Sequence, residues 1–166
     1  MTQSTGGNAI SSSQTMRPRK NAEIYFADPD HGQSIPTLEN YLAECWPKRW
    51  RYGAMDCCKF SGGWVKYRTG RDPFAAVPYD DERGAYALIK KHRSLVGVVD
   101  YAMASVGIFR TLEPEYGDLG VVTLPRTVAR VAGGSSLIFD GRWWICKELD
   151  GFSYSDQKDV VAWRVV

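Results

Sequence analysis

The chain reads as an α+β protein, with helices first and an antiparallel sheet after them. Three observations predict this. Apolar residues at helical spacing occur between about residues 36 and 107. Runs rich in β-branched residues begin only after Gly117-Asp118. The dipeptide Asp140-Gly141 lies between two such runs and is a two-residue hairpin signal. A length of 166 residues, 44% of them hydrophobic, suits one domain with a buried core.

Residues 1–22 are rich in Ser, Thr, Gly, Gln and Asn and lack apolar periodicity. Such a segment buries too little surface to offset chain entropy, so it is expected to be a flexible polar arm. Residues 23–166 form the single domain. Asp28-Pro29-Asp30 and His31-Gly32 predict turns ahead of the first helix. That helix is predicted over Pro36–Trp46, with Ser34 or Ile35 near its cap and proline preorganised for the first turn. Leu38, Tyr41, Leu42 and Cys45 make its apolar face. A second helix begins at Asp56, a preferred N-cap residue, and ends before Gly70, which suits the left-handed position past a helix. Phe60, Trp64 and Tyr67 repeat the helical period there. Asp80 and Asp81 open a third helix through about His92, and Ser94 a fourth through about Ser105, closed by Gly107. Strands follow at Leu119–Leu124, Ser136–Phe139, Arg142–Cys146 and Val160–Val166.

The charge is informative once it is divided. Of 21 Lys and Arg residues, Arg17, Arg19 and Lys20 precede Glu23, while all 19 carboxylates lie at or after it. The arm is therefore basic and the domain nearly neutral. A domain without a basic stripe is not an electrostatic nucleic-acid platform. No apolar run approaches the roughly 20 residues of a membrane span, so no span is expected. Four cysteines are too sparse for a disulfide scaffold, and the first residues lack the apolar core of a signal peptide. Folding in a reducing cytosol follows as the expectation.

The sharpest local feature is Asp56-Cys57-Cys58 at the mouth of the second helix. A thiol in the first helical turn feels the positive end of the helix dipole, which favours the thiolate. Cys57 thus reads as a nucleophile, or else as a small core residue, the usual fate of free cysteine. Cys45 reads as core. A metal centre is disfavoured, because positions 45, 57, 58 and 146 contain no two-residue knuckle. Adjacent helical residues also point about 100° apart, and no cofactor is expected. His31 sits among turns, and His92 lies in the run Lys90-Lys91-His92-Arg93, read as a solvated helix end. Six tryptophans allow an aromatic binding platform. Trp50 and Tyr52 beside the second helix, and Trp143 and Trp144 on a strand, are its candidates; adjacent strand residues face opposite sides, so one of the last two belongs to the core.

The string from Trp50 to Phe60, WRYGAMDCCKF, followed by Trp64-Val65, Thr69-Gly70 and Asp72-Pro73, resembles small phage and prophage tail proteins related to NlpC-type cell-wall peptidases. Gly117-Asp118, Asp140-Gly141, Asp150-Gly151 and Ala162-Trp163-Arg164-Val165 are similar to that group as well, so the resemblance covers about residues 38–166. It implies a papain-like fold in which the helix carrying the cysteine packs on an antiparallel sheet. It further implies a tail tip or baseplate setting, in the virion tail assembled in the bacterial cytoplasm, with other tail proteins as partners and peptidoglycan as a further ligand. In active relatives the cysteine at the position of Cys57 attacks a peptidoglycan peptide bond, activated by a histidine at the start of a strand. Asp56 stands here as the helix N-cap. The corresponding strand start reads Ala132-Gly133-Gly134-Ser135-Ser136, and no histidine follows His92. Loss of the general base removes a contribution of typically 10²–10⁴-fold. The expectation is a structural tail component on a degenerate peptidase-like domain, with the basic arm as a clamp; the alternative is an active peptidoglycan endopeptidase.

Overall fold

Short polar side chains start each helix among the described residues, and their hydrogen bonds set the helix boundaries. The computed structural model describes residues 36–123 and 134–165. The polar arm, His31, Leu124 and Ala132-Gly133 lie outside the described residues. Helix α1 spans Leu38–Cys45, and its cap is Thr37, whose Oγ1 accepts from the Asn40 amide at 3.3 Å. The cap expected at Ser34 or Ile35 is therefore displaced: Pro36 stands before the helix, and the Thr37 hydroxyl takes one of the free amides of the first turn, that of Asn40. Helix α2 spans Cys57–Thr69, capped by Asp56 and closed by Gly70 at φ +72°. Asp72 caps a 3₁₀ turn, Pro73–Ala76, absent from the sequence reading. Helix α3, Glu82–His92, starts on Asp81, and α4, Leu95–Ser105, starts on Ser94.

Six strands follow among the described residues: β1 Arg110–Thr111, β2 Leu119–Thr123, β3 Gly134–Phe139, β4 Trp144–Glu148, β5 Gly151–Ser155 and β6 Val160–Trp163. They form one sheet in the order β1-β6-β2-β3-β4-β5, every neighbouring pair antiparallel. The α+β class is as expected. Register places Leu119 of β2 opposite both Ile138 of β3 and Trp163 of β6. Strand β1 precedes Gly117-Asp118, which opens β2 rather than the sheet, and for a visible reason. The buried Asp118 carboxylate accepts from the amides of Glu115 and Val165, each at 2.8 Å, and from Arg164 Nε at 3.1 Å. It thus ties the entry of β2 to the chain just after β6.

Helix α2 is the element on which the fold turns. Phe60, Trp64 and Val65 are at most 1% exposed, each such burial contributing about 1.5–3 kcal/mol. Phe60 and Trp64 pack with Leu38 and Tyr41 of α1 and with Ile138, Ile145 and Phe152 of the sheet. Val65 joins Val99 and Met103 of α4 and Leu119, Val121 and Trp163 of β2 and β6. Two polar links fix the helix against the sheet: Ser61 Oγ and Ser136 Oγ lie 2.6 Å apart, and Trp64 Nε1 donates to the Gly117 carbonyl at 2.6 Å. Both hydroxyls are fully buried.

Three expectations are corrected. The hairpin at Asp140-Gly141 has four loop residues rather than two, because Phe139 pairs with Trp144. Asp140 Oδ1 accepts from the amides of Arg142 and Trp143, an Asx arrangement that takes both amides from the ladder; the Trp143 carbonyl still accepts from the Asp140 amide at 3.0 Å, and β4 starts at Trp144. The last strand stops at Trp163: the Arg164 amide still donates to the Phe109 carbonyl, but the Val165 amide turns to the Asp118 carboxylate. His92 is not a solvated end. Lys90, Lys91 and Arg93 are exposed, but His92 is half-buried with its ring centroid 4.9 Å from that of Tyr101, and its Nε2 is enclosed without a hydrogen-bond partner among the described residues. Strands β1 and β5 are additions.

Candidate functional site

The loop before α2 is built around one carboxylate. Gly53 adopts φ +72°, and a Cβ there would lie 2.4 Å from the Asp80 carbonyl carbon, so only glycine allows this approach. Its amide donates to Asp56 Oδ2 at 2.7 Å. Asp56 Oδ1 accepts from the Cys58 and Lys59 amides at 3.0 Å each and from the Tyr79 hydroxyl at 2.7 Å. Asp56 is 3% exposed. With four donors on two oxygens it fixes the helix start and the loop, and it is no proton acceptor for chemistry.

That anchoring sets Cys57, the first residue of α2, half-buried on the wall of a cleft of about 580 Å³. Trp50, Tyr52, Tyr79 and Tyr86 supply aromatic surface to the cleft, and Ser135 and Cys146 line it from the sheet. The Cys57 thiol is lowered from its ordinary 9.0 to about 7. The largest cause is a hydrogen bond from the Cys58 thiol; the Ser136 backbone and the Ser135 hydroxyl add to it, against burial and the Asp56 charge. Cys58 is correspondingly pushed well up, by its bond to Cys57 and by burial. Cys146 is pushed up by burial and then by the charge on Cys57. Its Sγ lies 2.9 Å from Ser135 Oγ. The Ser135 hydroxyl therefore lies between the sheet and the cleft wall that carries Cys57.

Of the sequence candidates, the structure brings Asp56, Cys57, Trp50 and Tyr52 to this cleft, the last two rings in edge contact at 4.7 Å. It does not bring Trp143 and Trp144. Trp144 is 5% exposed and packs on Phe139 at 4.7 Å, because the displaced start of β4 turns it into the apolar face with Val122, Leu137 and Ala162. Trp143 stays in the hairpin loop under the Arg142 guanidinium. Cys45 is core, at 1% exposure. Sequence reasoning missed Tyr79 and Tyr86 as lining residues and left open whether Cys146 lies near Cys57 and Cys58; all three line the one cleft. It identified the Ser135 stretch only as a place where histidine is missing. Helical spacing from Glu82 could have placed Tyr86 on the face that also carries Ala85 and Ile89; nothing local marks Cys146.

A ligand atom from each of Asp56, Cys57 and Cys58 lies within 4.8 Å of the others. The carboxylate already carries four hydrogen bonds, so two thiols remain, short of a tetrahedral shell. Among the described residues, no helix is long and apolar enough to cross a membrane. No imidazole of the described residues lines the cleft.

No curated protein and no solved structure matches the chain. A family model described as a domain of unknown function, DUF6950, matches residues 33–165, a span holding α1 to β6 and the whole Cys57 cleft, and the chain belongs to that family.

Proposed function

We propose that the protein is a structural component of a phage tail tip or baseplate, built on a papain-like, NlpC-type domain whose cleft holds a peptide segment of a neighbouring tail protein without cutting it. One observation carries this reading: Cys57 and Ser135, at the start of β3, line one cleft that no imidazole of the described residues enters, and a thiol peptidase needs an imidazole there. Amide cleavage by a thiolate requires a group that protonates the leaving amine. A serine hydroxyl does not release its proton near neutral pH, so attack at an amide would collapse back to the thiolate. The cleft remains suited to binding, with apolar and aromatic walls and a few polar groups. The basic segment 1–22 is assigned as the assembly arm, on its composition and charge.

Mass spectrometry of purified particles, from an induced strain carrying the gene, tests the reading. The chain is expected in the tail fraction, and the purified protein is expected to leave muropeptides intact. Absence from particles, or muropeptide cleavage, overturns it. Deleting residues 1–22 is expected to reduce incorporation. The lowered Cys57 thiol favours a second reading, an active peptidoglycan endopeptidase. That reading requires cleavage by the unsubstituted chain that disappears in Cys57→Ser.

A further inference from the structure

A thiolate deprived of a general acid keeps the reactions whose leaving group departs unprotonated. An amine does not leave so from a tetrahedral adduct, but a thiolate, with a thiol pKa near 8.5, leaves a disulfide unaided. The cleft also holds more than one thiol. Cys57, Cys58 and Cys146 all line it, whereas Cys45 is enclosed in the core between α1 and the sheet. Cys57 and Cys146 lie on different elements, α2 and β4, and line one cleft together with Ser135, whose hydroxyl is 2.9 Å from the Cys146 sulfur. Cys58 is a poor partner for Cys57: a disulfide between sequence neighbours closes a small strained ring, and Cys58 is 7% exposed and packed into the core with Val65 and Tyr79.

We propose that the cleft is a thiol–disulfide exchange site for small disulfides, with Cys57 as the attacking thiol and Cys146 as the resolving one. The inference goes beyond the docking reading and stands whether or not that reading holds. In the first step the Cys57 thiolate attacks one sulfur of a small disulfide. The S–S bond of the small molecule breaks, and one half leaves as a thiolate that takes a proton from water. Cys57 then carries the other half as a mixed disulfide. In the second step Cys146 gives its proton to water and attacks the Cys57 sulfur, releasing the second half, again protonated by water. Two protein thiols are oxidised to a Cys57–Cys146 disulfide, and the small disulfide is reduced to two thiols. The Ser135 hydroxyl supports the Cys57 thiolate before the attack and rotates aside when the two sulfurs close to about 2.05 Å.

The test uses the full chain with glutathione disulfide near neutral pH, acid quenching, alkylation of remaining thiols and peptide mapping. A transient glutathione adduct is expected on Cys57, followed by a Cys57–Cys146 disulfide. A thiol lowered to about 7 gains in ionised fraction and loses some intrinsic nucleophilicity; the balance is a rate roughly 3- to 6-fold above free cysteine. Cys146→Ser is expected to trap the glutathione adduct on Cys57, and Cys57→Ser to form neither product while keeping the same thermal unfolding midpoint. A persistent Cys57 adduct in the unsubstituted chain, a disulfide that includes Cys45 or Cys58, or reaction at Cys57 no faster than free cysteine overturns the proposal. None of these outcomes bears on particle incorporation, so the two readings fail separately.

Discussion

Replacing Asp56 separates its role as a scaffold from any role in chemistry. Asp56→Ala removes the N-cap of α2, a loss of about 1 kcal/mol. It also strands the Tyr79 hydroxyl, whose residue is 8% exposed, and the Gly53 amide. An orphaned buried donor costs about 1–3 kcal/mol. The sum is about 4 kcal/mol, a large share of the stability of a domain this size. Asp56→Asn keeps one oxygen for the cap but turns an NH₂ toward donors, and about 2 kcal/mol is expected from the same principle. Equilibrium unfolding in urea measures both. The thiol gives an independent sign. The Asp56 charge raises the Cys57 pKa, so Asp56→Asn lowers it further, and iodoacetamide alkylation of Cys57 at about pH 6.5 should speed up. A loss under about 1 kcal/mol in Asp56→Ala, or slower alkylation in Asp56→Asn, refutes the assignment of this carboxylate as a scaffold.

Four other outcomes follow from named contacts. The alkylation rate of Cys57 is expected to rise with pH through an inflection near 7, where a free thiol inflects near 8.5; stopped-time mass spectrometry over a pH series reads it. Gly53→Ala meets both a left-handed φ and the Asp80 backbone at 2.4 Å, while Gly70→Ala meets only the φ, with nothing within 4 Å; denaturant midpoints should show a cost of about 3 kcal/mol against about 1. Ser61→Ala and Ser136→Ala each leave the other buried hydroxyl only a long bond to a carbonyl, Ser136 to Gly120 at 3.5 Å and Ser61 to Cys58 at 3.3 Å, so in a double-mutant cycle the double variant should lose at least about 0.5 kcal/mol less than the sum of the singles. Lys147 is 2% exposed and burial pushes its ammonium down. Between its folded and unfolded pKa values the unfolded chain binds the extra proton, so its folded state gains stability as pH rises. Unfolding of Lys147→Met compared with the parent at pH 7 and about pH 9.5 should show the difference moving in favour of lysine, and parallel pH curves would contradict it.

The helical half of this fold is legible because its boundaries are written in single residues. Asp56, Asp81, Ser94 and Gly70 each do locally what their side chain, or lack of one, allows. The sheet is less legible, because strand limits depend on partners distant in sequence. Strand β5 exists because β4 offers an edge from Trp144 to Glu148, and β1 is two residues held against β6; neither carries a pattern of its own. The Asp140 side chain defeats the hairpin rule by capturing two amides that a tighter turn would leave to the ladder. At the site, Cys57 is readable from its place on a helix. Its surroundings are not, since Ser135, Cys146 and Tyr79 reach it only through tertiary packing.

What the cleft retains and what it lacks point the same way. Holding a thiolate at a helix mouth requires a rigid N-cap, a donor for the sulfur and a strand close enough to supply more, and all three are present in Asp56, Cys58 and the Ser135-Ser136 pair. The supports are tightly built: the Asp56 carboxylate has four donors, and Ser136 is fully buried against Ser61 on the adjoining turn of the same helix. A histidine in place of Ser135 would require only that one side chain at the start of β3 be larger, in a cleft of about 580 Å³. The site is therefore poised at the sulfur and bare at the acid. In physical terms that combination selects against amide substrates and leaves the thiolate free to bind, to be capped, or to exchange with another sulfur.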